Sequence, residues 1–149
     1  VALLVIFSFI VVDMVQLHPY QYVYFNRISG GLQRANNRDE TDYWALSIRE
    51  AMEWINREAP SNSSILVTGP WYASQMFIDY QKNFTLNHVD GFKQARDGKP
   101  DYYLALHRYQ YETAFPDCPI VHQVKRQGVP FSSIKKCSVE ADKVRTQTR

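Results

Sequence analysis

The chain opens with an apolar segment and continues as short apolar runs separated by polar stretches. Residues 1–12 read VALLVIFSFIVV and carry no charge. This run is shorter than the about 20 residues that an α-helix needs to cross a bilayer. It is compatible with the end of a transmembrane helix, with a buried core helix, or with a buried strand, because Val, Ile and Phe dominate it.

The next segment favours one of these interpretations. Residues 18–26, HPYQYVYFN, contain three tyrosines and a phenylalanine, and Tyr accumulates where hydrocarbon meets lipid headgroups. Pro19 is typical of a helix end, because it lacks an amide hydrogen and restricts the residue before it. We therefore expect residues 1–17 to be the end of a transmembrane helix and residues 18–41 to be a membrane-proximal aromatic segment and loop.

Helical spacing predicts an amphipathic helix over residues 42–58. Apolar side chains recur every three or four residues, as they do on a helix face that is turned towards a core. This stripe consists of Trp44, Ile48, Ala51, Met52 and Ile55. Thr41 or Asp42 can cap the first turn, and Pro60 ends the helix. Trp44 is therefore expected in the first helical turn, on the apolar stripe.

The remaining pattern predicts strands that alternate with helices and end in a hairpin. The predicted elements are strands over residues 64–68, 84–89 and 102–107, a helix over 71–81, a turn-rich segment over 90–101 and a short helix or loop over 108–116. Such an order predicts an α/β fold: a small mixed sheet with helices packed on it and a C-terminal antiparallel hairpin, preceded by the end of a transmembrane helix. The small α/β domain would cover residues 42–137, and residues 138–149 would be a polar tail.

The predicted hairpin has an internally consistent register. A two-residue turn at Gln127-Gly128 places Val124 opposite Phe131 and Val121 opposite Ile134, and both would be apolar cross-strand pairs. The register is therefore a prediction that a structure can test pair by pair.

The same turn places Cys118 opposite Cys137, at the open end of the hairpin. Opposed residues of a hydrogen-bonded pair have Cα atoms about 5.5 Å apart, which is within the range of a disulfide. The two cysteines are therefore a disulfide candidate, with two buried thiols as the alternative. A disulfide would indicate an oxidising compartment.

Composition and motif spacing argue against several classes of function. The net charge of +2 lacks the basic excess of a nucleic-acid-binding protein. The single glycine of VTGPW, residues 67–71, is too few for a phosphate-binding loop. No pair of the four histidines and two cysteines has metal-ligand spacing, and no nucleophile lies in a catalytic pattern. We therefore expect no catalytic residue, metal or cofactor in this chain.

An acidic cluster precedes the predicted 42–58 helix. Asp39, Glu40 and Asp42 could form a general acid/base or a cation site near the membrane. The interpretation that we favour is a helix N-terminus, where carboxylates meet the positive end of the helix dipole.

Part of the chain resembles a known family. The motifs that carry this resemblance are HPYQYVYFN at residues 18–26, Gly30-Gly31-Leu32, Ala35 and Glu40-Thr41-Asp42-Tyr43-Trp44, with D-Y-Y at 101–103 and R-Q-G-V-P at 126–130. Together they resemble a stretch of bacterial polytopic GT-C glycosyltransferases of the dolichyl-phosphate-mannose protein mannosyltransferase group. The chain departs from that pattern at Asn37 and Ala45, where glycine is expected, and at Asp39, where an aromatic residue is expected.

The resemblance implies an activity for the whole protein and a supporting role for this chain. In that family the stretch follows the last transmembrane helix and opens a small extracytoplasmic domain, and the donor is a polyprenyl-phosphate-linked sugar. The catalytic carboxylate of the family lies in the first extracytoplasmic loop, which is outside this chain. We therefore expect a C-terminal, non-catalytic extracytoplasmic domain of a membrane glycosyltransferase, inactive by itself. Its expected partners are the membrane, the rest of its own polytopic chain, a lipid-linked sugar and an acceptor.

Aromatic and polar residues near the membrane are the candidate substrate-binding set. Tyr and Trp faces can stack on sugar rings, and Asn and Asp can hydrogen-bond hydroxyls. The candidates are Tyr20, Tyr22, Tyr24, Asn26, Asp42, Tyr43 and Trp44. A structural role as interface anchors and helix-packing residues is the alternative for each of them. For the whole chain, the alternatives are a membrane-tethered binding or interaction module without enzymatic activity, and a small soluble α/β enzyme.

Overall fold

The computed structural model of the chain describes residues 2–36, 38–89 and 99–138. Its helices are α1 (Ala2–Leu17), α2 (Gly31–Asn36), α3 (Ser47–Glu58) and α4 (Trp71–Phe77), and its strands are β1 (Ser64–Thr68), β2 (Thr85–Val89), β3 (Tyr102–Leu106), β4 (Ile120–Arg126) and β5 (Val129–Lys136). Short 3-10 helices cover Gln21–Val23, Arg27–Ser29, Tyr80–Lys82 and Tyr111–Thr113. Most of the turn-rich segment that the sequence predicts at 90–101 lies outside the described residues.

The strands form one mixed sheet in the order β2-β1-β3-β5-β4. β1 runs parallel to β2 and to β3, whereas β5 runs antiparallel to β3 and to β4. The predicted α/β fold, with helices packed on a small mixed sheet and a C-terminal hairpin, is therefore confirmed.

The alternating side chains of the central strands build two apolar clusters, one on each face of the sheet. On one face, Ile65, Val67 and Leu104 pack against the apolar stripe of α3. On the other face, Tyr103 and Ala105 lie in a smaller cluster that contains the two cysteines, partly covered by residues 111–115. The central strands β1 and β3 are thus buried on both faces, as parallel strands usually are.

Helix α1 leaves most of its apolar surface uncovered. From Leu3 to Val15 its apolar side chains are largely exposed, and the buried residues of the helix are Asp13 and Leu17. This conformation rules out the interpretation of the segment as a buried strand. Within the described ranges, no helix combines the length and the hydropathy that a membrane crossing requires.

The start of α3 differs from the sequence prediction. The helix begins at Ser47 rather than at residue 42, and Trp44 is 69% exposed instead of lying on the buried stripe. Ala45 has a positive φ of 55°, so the helix cannot extend backwards from Ser47 to include Trp44. The physical cause is the Asp42 carboxylate, which accepts hydrogen bonds from the Leu46 and Ser47 amides and so starts the helix later.

The hairpin has the predicted turn but not the predicted pairs in its middle. Val124 lies opposite Ser132, and His122 lies opposite Ile134, so the predicted pairs Val124–Phe131 and Val121–Ile134 are wrong. A bulge at Val121 and another at Phe131 shift the register. The Phe131 bulge lets that ring enter the core against Tyr20, with ring centroids 5.5 Å apart.

The two shifts cancel, so the ends of the hairpin keep the register that the turn defines. Arg126 lies opposite Val129 at one end, and Ile120 lies opposite Lys135 at the other. The structure joins Cys118 to Cys137 by a disulfide, with Cα atoms 4.8 Å apart.

Candidate functional site

The order of the parallel strands creates a crevice at one end of the sheet. β1 lies between β2 and β3, and the chain leaves β1 through α4 towards β2, whereas β3 lies on the other side of β1. Connections that diverge in this way open a crevice at the carboxyl ends of the strands, which is where open α/β sheets bind ligands. Here the crevice is a cleft of about 490 Å³, which we call the switch-point cleft.

Aromatic side chains dominate the lining of the switch-point cleft. The lining residues are Tyr43, Trp44, Gly69, Pro70, Trp71, Tyr72, His88, Arg108, Tyr109 and Tyr111. Trp44, Tyr72 and Tyr109 are all more than half exposed, and Trp71 is 44% exposed. The cleft therefore presents large ring faces that no described residue covers completely.

The loop after β1 is shaped by Gly69. This residue has a φ of +103°, and a Cβ added to it would lie 2.5 Å from Leu106 Cδ1. Glycine is therefore required for the close approach of this turn to β3. The Gly69 carbonyl lies 2.5 Å from Nε2 of His88, which ties the turn to β2. Together these contacts place Trp71 at the mouth of the cleft.

Arg108, in the loop after β3, holds the opposite wall. Its guanidinium lies 5.4 Å from the ring centroid of Tyr43 and 4.7 Å from that of Tyr109. It donates to the Tyr43 carbonyl at 3.4 Å and to the Tyr109 hydroxyl at 3.0 Å, and it forms an ion pair with Glu40 at 3.1 Å. Cation–π contacts of this kind stabilise both rings, so Arg108 connects the 40–44 loop to the loop after β3.

Of the candidate substrate-binding residues, Tyr43 and Trp44 line the switch-point cleft. Their rings contact each other edge to face, with centroids 5.1 Å apart. Asp42 orients this pair indirectly: its buried carboxylate accepts from the Leu46 amide, from the Ser47 amide and hydroxyl, and from the Tyr22 hydroxyl. These hydrogen bonds fix the segment that carries Tyr43 and Trp44 to the start of α3.

The other aromatic candidates lie outside the cleft: Tyr20 and Tyr24 contact the main apolar cluster, whereas Tyr22 is 41% exposed. Tyr20 is buried against Phe131, and its hydroxyl donates to Glu50 at 2.9 Å. Burial and this hydrogen bond raise the pKa of Tyr20 well above its usual range. Burial, together with the hydrogen bond to Asp42, does the same for the pKa of Tyr22. These phenols therefore stay neutral and act as hydrogen-bond donors.

Tyr24 and Asn26 also have structural contacts. Tyr24 is partly buried against the main apolar cluster. The side chain of Asn26 accepts from the Ile28 amide at 2.8 Å and caps the 3-10 helix Arg27–Ser29. Such capping is the ordinary role of Asn at a helix start.

A second cavity adjoins the cleft. This groove of about 700 Å³ lies between α3, α4 and the end of α1, and we call it the α3–α4 groove. It shares Trp44 and Tyr72 with the switch-point cleft, and it reaches His18 at the end of α1. The two rings therefore form the boundary between an aromatic cleft and a groove that leads towards the apolar helix.

No metal site accompanies these cavities in the part of the chain that the structure describes. Among those residues, no three His, Cys, Asp or Glu side chains lie together in an arrangement that could hold a metal ion. The lining of the switch-point cleft contains no carboxylate.

The sequence alone did not identify the cleft residues that lie in the loops after β1 and β3. Trp71 and Tyr72 come directly after the Gly-Pro turn of β1, and Arg108 and Tyr109 follow the end of β3 after one intervening residue. The available signal was the position of large aromatic and basic residues just past two buried strands. That signal points to a site only when both strand ends are known to meet at one edge of the sheet.

Compared with known proteins, the chain matches no family model, no curated protein and no solved structure. Its possible function must therefore be sought in the geometry of its cavities, in helix α1 and in the motif resemblance of residues 18–44.

Proposed function

We propose that this chain is the non-catalytic extracytoplasmic domain of a membrane glycosyltransferase that transfers sugar from a polyprenyl-phosphate donor. In this proposal α1 is the end of a transmembrane helix, and the α/β domain stands at the membrane surface. The motif resemblance of residues 18–44 supplies the class of enzyme. The junction between α1 and the domain is the observation that carries the proposal.

That junction combines an uncovered helix with a tightly packed end. The apolar side chains from Leu3 to Val15 are largely exposed, whereas Leu17, Tyr20 and Val23 are almost completely buried. Burying apolar surface is favourable by about 25 cal/mol per Å², so a helix with this much uncovered apolar surface requires an apolar partner. A bilayer, or other helices within one, provides such a partner.

Polar contacts attach α1 to the domain in a defined orientation. Asp13, 3% exposed, accepts two hydrogen bonds from Arg27 at 2.7 and 2.6 Å and one from Gln127 at 3.1 Å. Arg126 donates to the His18 carbonyl at 2.9 Å. Bidentate Arg–carboxylate pairs are geometrically specific. The turn of the hairpin and the segment after α1 thus hold the end of the helix from two sides.

A non-catalytic role agrees with the positions of the acids. Asp42 is buried in its capping hydrogen bonds, Asp39 pairs with Arg38, and Glu40 pairs with Arg108. Each member of the acidic cluster thus has a structural partner, as expected for a helix N-terminus and its neighbouring loop. The Cys118–Cys137 disulfide supports an extracytoplasmic location, because disulfides persist in oxidising compartments.

The first test measures the membrane association of the chain. We expect it to float with phosphatidylcholine vesicles in a density gradient, and the double variant Ile6→Glu/Phe7→Glu to remain in the soluble fraction. Ile28→Glu is the matched control, because Ile28 is 95% exposed but lies outside α1. Circular dichroism of each variant checks folding. Equal flotation of the wild type and the double variant would contradict the role of α1.

The second test measures transfer by the complete gene product. Membranes that contain it are supplied with a radiolabelled polyprenyl-phosphate sugar, and we expect label to appear in an acceptor. The isolated chain should transfer nothing under the same conditions. Transfer by the isolated chain would disprove the non-catalytic assignment.

The competing proposal is a membrane-tethered binding module without enzymatic activity, which the open aromatic cleft favours. It predicts the same flotation. It also predicts that the complete gene product transfers no sugar from any polyprenyl-phosphate donor, and this result would replace our first proposal with the second.

A further inference from the structure

We propose that the switch-point cleft is a binding subsite for an uncharged pyranoside, held between the rings of Trp44 and Trp71. This goes beyond a supporting role for the domain, because it makes the domain contact a substrate. It rests on the proposed function only for the biological source of the ligand, a sugar unit of the acceptor. The cleft itself is built from the residues that follow β1 and β3 and from the 43–44 pair.

The ring faces of the cleft suit the apolar side of a sugar. A pyranose presents a face of C–H groups that packs on aromatic rings, and a rim of hydroxyls that needs hydrogen bonds. Binding pockets for such molecules combine aromatic walls with a small number of placed polar groups. The cleft has indole rings from Trp44 and Trp71 and phenol rings from Tyr72 and Tyr109, all of them partly exposed. Contiguous exposed apolar surfaces of this kind are one of the features that mark ligand-binding grooves.

Polar groups stand at the edge of these rings. The Arg108 guanidinium already orients the Tyr109 hydroxyl at 3.0 Å, so the two groups can act together on ligand hydroxyls. Hydroxyl groups are donors and acceptors at once, and they therefore match this mixture of N–H and O–H groups.

The charge of the cleft favours an uncharged ligand. Arg108 is the lining residue with a fixed charge, and Glu40 balances it at 3.1 Å. A phosphate or a uronate would have to displace Glu40 from Arg108, or else lie against aromatic faces without a charged partner. Both outcomes cost desolvation that a hydroxyl does not incur. A neutral glycoside leaves the Arg108–Glu40 pair intact.

The surroundings leave room for the group that is attached to the sugar. Trp44 and Tyr72 line both the switch-point cleft and the α3–α4 groove, so the two cavities are adjacent. The groove is lined by Leu46, Met76 and Phe77 among other residues, and it ends at His18 beside α1. A pyranose in the cleft can therefore carry a substituent that leaves along the groove.

The experiment uses the 149-residue chain in lipid nanodiscs, which avoids the sugar headgroups of glycosidic detergents. The ligands are methyl α-D-mannopyranoside, methyl α-D-glucopyranoside and methyl β-D-galactopyranoside, with mannose 6-phosphate as the charged comparison. Binding is followed by saturation-transfer-difference NMR and by tryptophan fluorescence. We expect saturable binding of at least one glycoside, with the strongest saturation on its C–H face.

Substitutions locate the binding. We expect Trp44→Ala and Trp71→Ala each to weaken the affinity at least tenfold, and both should fold because their rings are largely or partly exposed. Trp54→Phe is the matched control, because Trp54 stacks on His122 with centroids 5.2 Å apart, outside the cleft. Tyr109→Phe removes a single hydroxyl and should weaken binding without affecting the fold.

Four outcomes would overturn the inference. These are no binding of any of the three glycosides, equal affinity in the wild type and both tryptophan-to-alanine variants, loss of binding in Trp54→Phe alone, and tighter binding of mannose 6-phosphate than of methyl mannoside. None of these outcomes determines the result of the vesicle flotation assay or of the sugar-transfer assay with the complete gene product. Failure of the subsite and failure of the proposed function can therefore be told apart.

Discussion

The Asp42 carboxylate gives the most precise prediction about the stability of this fold. It is buried, and each of its oxygens accepts more than one hydrogen bond. Oδ1 accepts a hydrogen bond from the Leu46 amide at 3.0 Å and another from the Tyr22 hydroxyl. Oδ2 accepts one from the Ser47 amide at 3.2 Å and one from the Ser47 hydroxyl at 2.5 Å. The substitution Asp42→Asn keeps the size of the side chain but replaces one acceptor oxygen by an NH₂ donor.

The magnitude follows from what that replacement leaves unpaired. Hydroxyls of Tyr22 and Ser47 can reverse and accept from the new NH₂ group, but a backbone amide cannot. One backbone N–H near the helix start therefore loses its acceptor, which costs about 1–3 kcal/mol in a buried site. Loss of the negative charge at the N-terminus of α3 adds about 0.3–1 kcal/mol. We expect Asp42→Asn to lower the free energy of unfolding by about 2–3 kcal/mol.

The assay is urea unfolding followed by near-ultraviolet circular dichroism, with wild type and variant in the same lipid nanodisc. Asp39→Asn is the control, because Asp39 belongs to the same acidic cluster but forms an exposed ion pair with Arg38 at 3.1 Å. Exposed pairs contribute about 0–1 kcal/mol, so this variant should unfold almost like the wild type. Equal, small losses in both variants would refute the buried-cap explanation of the start of α3.

Three further predictions concern the rest of the domain. Replacing both Cys118 and Cys137 by serine should lower the free energy of unfolding by about 2–4 kcal/mol in urea titrations, since their disulfide closes a loop with a sequence separation of 19. Gly69→Ala should cost about 1–3 kcal/mol, measured in the same way, because its Cβ would meet Leu106. Burial lowers the pKa of His107, so the unfolded state binds more protons below about pH 6.5. Stability should therefore be complete above that pH and fall as pH drops through the folded pKa, and His107→Asn should flatten this dependence.

The local pattern of the sequence determined the elements of the domain. Ile48, Ala51, Met52 and Ile55 recur at helical spacing, and all of them are buried on α3. The short apolar runs around Leu66 and Leu104 became β1 and β3. Such patterns are reliable because helix and strand periodicities arise from short-range backbone geometry, which a few neighbouring residues specify. The turn at Gln127-Gly128 was likewise predicted from the local sequence.

Contacts between distant segments decided the details that the pattern did not contain. The start of α3 depends on the Asp42 carboxylate, whose partners include Tyr22 from another segment. The hairpin register depends on Phe131, which leaves the ladder to pack against Tyr20. In both cases the local sequence pattern predicted one arrangement, and a contact between distant segments favoured another. The structure adopts the arrangement that buries the Phe131 ring or satisfies the Asp42 carboxylate.

The same distinction between local sequence pattern and tertiary contacts applies to the residues of the candidate site. The sequence named Tyr43 and Trp44 as candidates, because Tyr and Trp faces can stack on sugar rings, and both line the cleft. It did not name Trp71, Tyr72 and Arg108, because they reach the same cleft only when β1 and β3 lie side by side with their carboxyl ends together. Strand order is set by the packing of the whole sheet, and no short stretch of sequence encodes it.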